Sequence, residues 1–78
     1  MKTMTCKTLG GPCDLEHRGA SADEVIQAQD RHLKEAEKAG DATHHESREA
    51  MKSRWLHPKK SMDWYRDTKA AFAALPDE

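Results

Sequence analysis

The sequence predicts an α+β fold: an N-terminal β-hairpin packed on a helix, a ββα unit, followed by two further helices. Three observations predict it. Extended-favouring residues flank a Gly10-Gly11-Pro12 turn. A helix-start signal at Ser21 opens a stripe of apolar residues at three- and four-residue spacing. Gly40-Asp41 and Pro58 then divide the remainder into two more helical segments. The expected organisation is one small domain over residues 1–78, with the ββα unit at 1–40 and a helical hairpin at 41–76.

Each element has a local cause. Thr3-Met4-Thr5 favours an extended chain, Leu9-Gly10-Gly11-Pro12 a turn, and Asp14 to Arg18 a short second strand. Period-two alternation places Met4 and Cys6 on one face of the first strand, and Cys13, Leu15 and His17 on one face of the second. Ser21-Ala22-Asp23-Glu24 is a capping box, in which Ser and Glu side chains satisfy free backbone N–H groups at a helix start. Ala22, Val25, Ile26, Gln29, His32, Leu33 and Ala36 follow as one helical stripe. Gly40 is a C-terminal stop and Asp41 an N-cap for the second helix, which Pro58 ends near Leu56 or His57. The third helix opens at Lys60 or Ser61 with the stripe Met62, Trp64, Tyr65, Thr68, Ala71, Phe72 and Leu75, and Pro76 closes it.

Large apolar side chains are scarce. The chain is 35% charged and its mean hydropathy is -1.01. Domains this short and polar generally need a disulfide, a metal or a partner to hold together. No run approaches the ~20 apolar residues of a membrane span, and the N-terminus lacks a secretory h-region. The expectation is therefore a cytoplasmic protein, where a cysteine pair more often binds metal than closes a disulfide. The formal net charge of -1 exerts no overall pull on nucleic acid or anionic lipid. Charge is uneven, with eight acids against four bases over residues 21–50 and six bases against four acids over residues 51–78. The one basic cluster (Lys52, Arg54, Lys59, Lys60, with His57) reads as a solvated face, which argues against a nucleic-acid partner.

Against that background the chemistry-bearing residues stand out. Cys6 and Cys13 bracket the turn, His32 lies on the apolar stripe of the first helix, and a histidine pair follows at His44-His45. Two thiolates and two imidazoles are the donor number a closed tetrahedral zinc site requires. On a helical wheel at ~100° per residue, His44 shares a face with Met51 and Trp55, whereas His45 points toward Glu49 and Lys52. The wheel favours His44 as fourth ligand, with His45 the alternative. The cysteines have an alternative of their own, a disulfide across the hairpin. His17 shares a strand face with Cys13, but ~3.3 Å per residue sets their backbones ~13 Å apart. A carboxylate site of His45, Glu46 and Glu49 lacks the repeated Glu-x-x-His pairs of bundle di-metal centres. Ser21, Ser47 and Ser61 sit at helix starts or on a helix, and no Gly-x-Ser-x-Gly elbow or phosphate-binding glycine loop occurs.

The opening Thr3-Met4-Thr5-Cys6-Lys7-x-Leu9-Gly10-Gly11-x-Cys13-Asp14, with Gly19 and the Ser-x-x-Glu helix start, resembles the short bacterial domain-of-unknown-function family numbered 1059. Longer relatives are similar also at His32, Gly40-Asp41-x-x-His44, a tryptophan near the third helix and Phe72-x-Ala74-Leu75-Pro76. The resemblance implies small metal-binding proteins and carries no assigned activity. Shorter members pair the cysteines with two helix histidines one turn apart. Here Ala36 stands one turn after His32, so on this resemblance His44 supplies the missing ligand from the next helix.

The reading that results is a structural Cys6/Cys13/His32/His44 zinc site in a binding or interaction module. Four protein ligands leave no open position for catalysis. The rival reading is a thiol redox or metal-sensing switch at Cys6 and Cys13. A protein partner would find a surface around Trp55, Leu56 and Trp64. The sequence specifies neither that partner nor an oligomeric state.

Overall fold

The computed structural model describes residues 1–77. Strand β1 (Lys2–Thr5) pairs antiparallel with β2 (Glu16–Gly19), Met4 lying opposite His17 and Thr3 opposite Arg18. Helix α1 (Ala22–Lys38) follows, then a 3₁₀ turn (Ala42–His44), α2 (His45–Leu56) and α3 (Met62–Ala74). The architecture is the expected α+β one. Helix α1 is its centre: β2, α2 and α3 all pack against it, and α2 and α3 pack on α1 more than on each other.

Helix α1 begins where the capping box places it. Ser21 Oγ accepts from the Glu24 N–H at 3.3 Å. The Glu24 carboxylate reaches back one residue further than the motif implies and accepts from the Ala20 N–H at 2.7 Å. Gly40 adopts φ +79° after the last turn, a conformation that favours glycine. Asp41 then caps the 3₁₀ turn by accepting from the Thr43 N–H at 2.9 Å, so the second helix enters through a tighter turn than expected and becomes α-helical at His45.

Met4, Leu9, Ala22, Val25, Ile26, Leu33, Met51 and Phe72 form the buried apolar cluster, with Trp64 and Leu75 partly buried against it. The molecule measures 34 × 28 × 15 Å, and at that thickness few side chains can be fully enclosed. Three expectations change. Leu15 is 49% exposed, because regular strand structure begins only at Glu16 and the alternation does not extend back through the irregular Pro12–Leu15 segment. The α3 stripe is narrower than its periodicity, for α3 buries Thr68 and Phe72 while Met62 is 65% and Tyr65 36% exposed. Trp55, expected to share the inward face of α2 with Met51, is 57% exposed, whereas Met51 is 1% exposed.

Leu33, at 1% exposure, fills the centre of this small core, whereas Leu56 is 69% exposed. Leu33→Ala is expected to cost about 2–5 kcal/mol of unfolding free energy, and Leu56→Ala no more than about 0.5 kcal/mol. Parallel denaturant melts in one buffer measure both.

Candidate metal centre

The hairpin loop is built around Cys6. Its N–H donates to the Leu15 carbonyl at 2.8 Å, and its own carbonyl accepts from the Gly11 N–H at 2.7 Å and the Leu9 N–H at 3.1 Å. The Lys7 N–H donates to the Cys13 carbonyl at 2.8 Å, which brings the second cysteine back beside the first. Gly10 takes φ +99°. Gly11 is required for a different reason: a Cβ there would overlap Cys6 Sγ and press on Gln29 Nε2 at 3.0 Å. The loop thus wraps one sulfur closely and points both cysteines at α1.

The structure brings Cys6, Cys13, His32 and His44 together, with one ligand atom from each lying within 4.8 Å of all the others. They come from the hairpin loop, α1 and the 3₁₀ turn. Both thiols are free, Cys6 buried and Cys13 half-exposed. Cys13 Sγ is 3.4 Å from His32 Nε2 and 3.4 Å from His44 Nε2. A tetrahedral zinc with Zn–S of ~2.3 Å and Zn–N of ~2.05 Å has S···N edges of about 3.6 Å. The two imidazoles meet edge to face, centroids 4.9 Å apart and planes at 88°, so both can aim a ring nitrogen at one point without stacking.

The surroundings orient these donors. His44 Nδ1–H donates to Asp41 Oδ2 at 2.9 Å, which leaves Nε2 to face Cys13 and reproduces the carboxylate–histidine arrangement behind many metal ligands. Asp41 is itself held by the Thr43 N–H and hydroxyl. On the other side, Gln29, 1% exposed, donates from Nε2 to Cys6 Sγ at 3.2 Å. Its Oε1 accepts from His17 Nε2–H at 2.6 Å. Hydrogen bonding to a buried thiolate offsets part of the cost of its charge.

His45, the alternative fourth ligand, faces away from this cluster and lies exposed with Glu37 and Glu49. Glu37 also pairs with Arg48 at 3.6 Å, and exposed carboxylates gather in this way commonly without an ion. His17 is outside the four, with its ring 5.7 Å from that of His32. Its role through Gln29 was not read from the sequence. The available signal was a glutamine on an otherwise apolar stripe. The sequence marks Asp41 as a helix cap, and its position three residues before His44 suits a ligand-orienting carboxylate equally well.

A small α+β protein carrying a partly buried Cys2His2 cluster able to hold a metal ion is the class that this fold and site define. Residues 1–54 match the family described as "Protein of unknown function (DUF1059)", and the chain belongs to that family. No curated protein and no solved structure matches it. The matched region contains all four clustered residues and ends within α2.

In the metal-free chain the two histidines titrate in opposite directions. Burial, reinforced by the neighbouring His44 and His17, lowers the His32 pKa from its ordinary 6.5. The hydrogen bond with Cys13, and then that with Asp41, raises the His44 pKa above 6.5 despite burial. A depressed folded-state pKa means that the His32 contribution to stability is present above pH 6.5 and is lost as pH falls through its folded value. The raised pKa of His44 means that its contribution is present below pH 6.5 and is lost as pH rises through its folded value. Ring-proton NMR titration of the metal-free chain is expected to give His44 the higher midpoint. Asp41→Asn, which removes the charge behind His44, is expected to weaken metal binding by about 10–100-fold in competition with a chromophoric chelator. Gly11→Ala should weaken it as well, by displacing Cys6 Sγ.

Proposed function

We propose that this protein is a zinc-stapled binding module, in which Cys6, Cys13, His32 and His44 hold one structural Zn²⁺ and residues 1–78 fold as one unit around it. The convergence of two imidazole Nε2 atoms on Cys13 Sγ, each at 3.4 Å, carries this reading. Charge favours it too. Two thiolates, one Zn²⁺ and two neutral imidazoles sum to zero, so the centre can be enclosed without the penalty that an isolated buried thiolate incurs. The ligands tie the hairpin loop to α1 and to the entry of α2, the joints that a chain with so small an apolar cluster holds weakly by packing alone. Four protein donors leave no position for an activated water, so the metal staples and does not catalyse. A thiolate-bearing donor set suits a reducing compartment such as the cytoplasm.

The half-exposed Cys13 beside Cys6 favours a second reading, a thiol switch. A two-electron oxidant such as a peroxide would join the two sulfurs, take up the electron pair and release Zn²⁺ from the broken centre.

The test is metal content after purification without added metal, with circular dichroism before and after a strong chelator. One zinc per chain and loss of helical signal on chelation are expected. Absence of zinc after loading, with an unchanged spectrum, overturns the staple. Because protons compete for every ligand, zinc retention is expected to fall as pH drops below about 6. Zinc release by stoichiometric peroxide, reversed by a thiol reductant, would select the switch over a purely structural site.

A further inference from the structure

We propose that the groove between α2 and α3 is a binding site for a small amphiphilic anion with a flat apolar body and one acidic group. This deepens the binding-module reading by naming the site and its ligand class, and it makes no use of the metal. The groove has a volume of about 580 Å³, within the ~300–1,000 Å³ range of small-molecule sites. Buried Ile26 and Met51 form its deepest lining, and Trp55, Met62, Trp64 and Tyr65 contribute its walls. Three of these wall residues are among the large apolar side chains that the fold leaves exposed: Trp55 at 57%, Met62 at 65% and Tyr65 at 36%.

The charges at the groove are unequal. Arg54 is half-buried with its guanidinium 4.0 Å from the centre of the Trp64 ring. No carboxylate among the described residues pairs with it. Lys69, 5.4 Å over the Tyr65 ring, likewise has no acidic partner there. At the rim Arg66 meets Asp63 at 3.4 Å and Asp67 at 3.8 Å, and the Tyr65 hydroxyl donates to Asp23, whose carboxylate stands at that wall. Two uncompensated cations therefore face an apolar, aromatic slot. Burial lowers the Arg54 pKa from its ordinary value, the mark of a cation that an incoming anion would stabilise. Planar guanidinium binds carboxylate or sulfonate through two parallel hydrogen bonds while the ring beneath it keeps it in place. The turn that joins the helices and all of α3 lie beyond the family match at residues 1–54, so about three-quarters of the residues lining the groove come from sequence outside the matched region.

The experiment is calorimetric titration of the zinc-loaded chain with naphthalene-2-sulfonate and with neutral 2-naphthalenemethanol, with the two indole N–H signals followed by NMR and zinc content measured in the same samples. The expected result is saturable one-to-one binding of the sulfonate, shifts at both Trp55 and Trp64, and a preference of about tenfold or more over the alcohol. Arg54→Gln should remove most of that preference while Arg54→Lys keeps part of it. Comparing anion with alcohol within each variant separates lost charge from a change of groove shape. Equal binding of the two probes, no saturable binding of either, or a chain that sediments as a dimer dissociated by the sulfonate would each overturn the proposal. In the dimer case a second copy occupies the groove. Zinc content is read independently, so failure at the groove leaves the staple standing, and loss of zinc with intact sulfonate binding does the reverse.

Discussion

The constraint on which this structure depends is the enclosure of Cys6. Its side chain is fully buried in a chain with little apolar matter to surround it, and a buried sulfur that is to act as a thiolate needs compensation from every side. The loop supplies one part by closing backbone hydrogen bonds around Cys6 and placing glycine where any Cβ would collide with the sulfur. Helix α1 supplies another through Gln29, an amide donor in the middle of an apolar stripe. Cys13, His32 and His44 complete the shell. Hairpin, helix and 3₁₀ turn thus meet at one polar point, and the apolar cluster of Met4, Val25, Leu33, Met51 and Phe72 packs to the side of it.

Local signals in the sequence carry much of this. The Ser21 capping box, the positive-φ Gly40 and the Asp41 cap are written in short-range chemistry, and each element starts or stops within a few residues of its signal. The family resemblance at the opening residues corresponds to the match over residues 1–54. Of the two wheel references for His44, Met51 is buried while Trp55 is exposed, and His44 itself lies in the 3₁₀ turn ahead of α2, where the helical rotation angle does not hold. Tertiary geometry was less legible. Strand periodicity was carried back through residues 13–15, where the chain bends to aim Cys13 at the helices and leaves Leu15 exposed. The α3 stripe is wider than the partners available to cover it, because α3 packs mainly on α1 and turns Met62 and Tyr65 toward open space. A periodic pattern states which residues share a face, but not whether the protein owns a second element to cover that face.

That last difference bears on how the molecule divides its work. A cluster closed by four protein donors is saturated and can do little beyond holding elements together. An apolar face that no helix covers is the opposite case, a surface whose burial remains to be gained. The two lie at different ends of α2: His44 sits just before its first residue, while Arg54 and Trp55 lie in its last turn. Helix α2 has little apolar face of its own and contributes one buried side chain, Met51, to the core. Its position is therefore set mainly by what grips its ends, with His44 at the polar cluster, Ser47 donating to the Gly10 carbonyl at 3.1 Å and Arg54 on Trp64. Loosening the cluster releases the N-terminal anchor of the same helix that forms one wall of the groove. Cluster and groove thus share one helix, and no residue belongs to both.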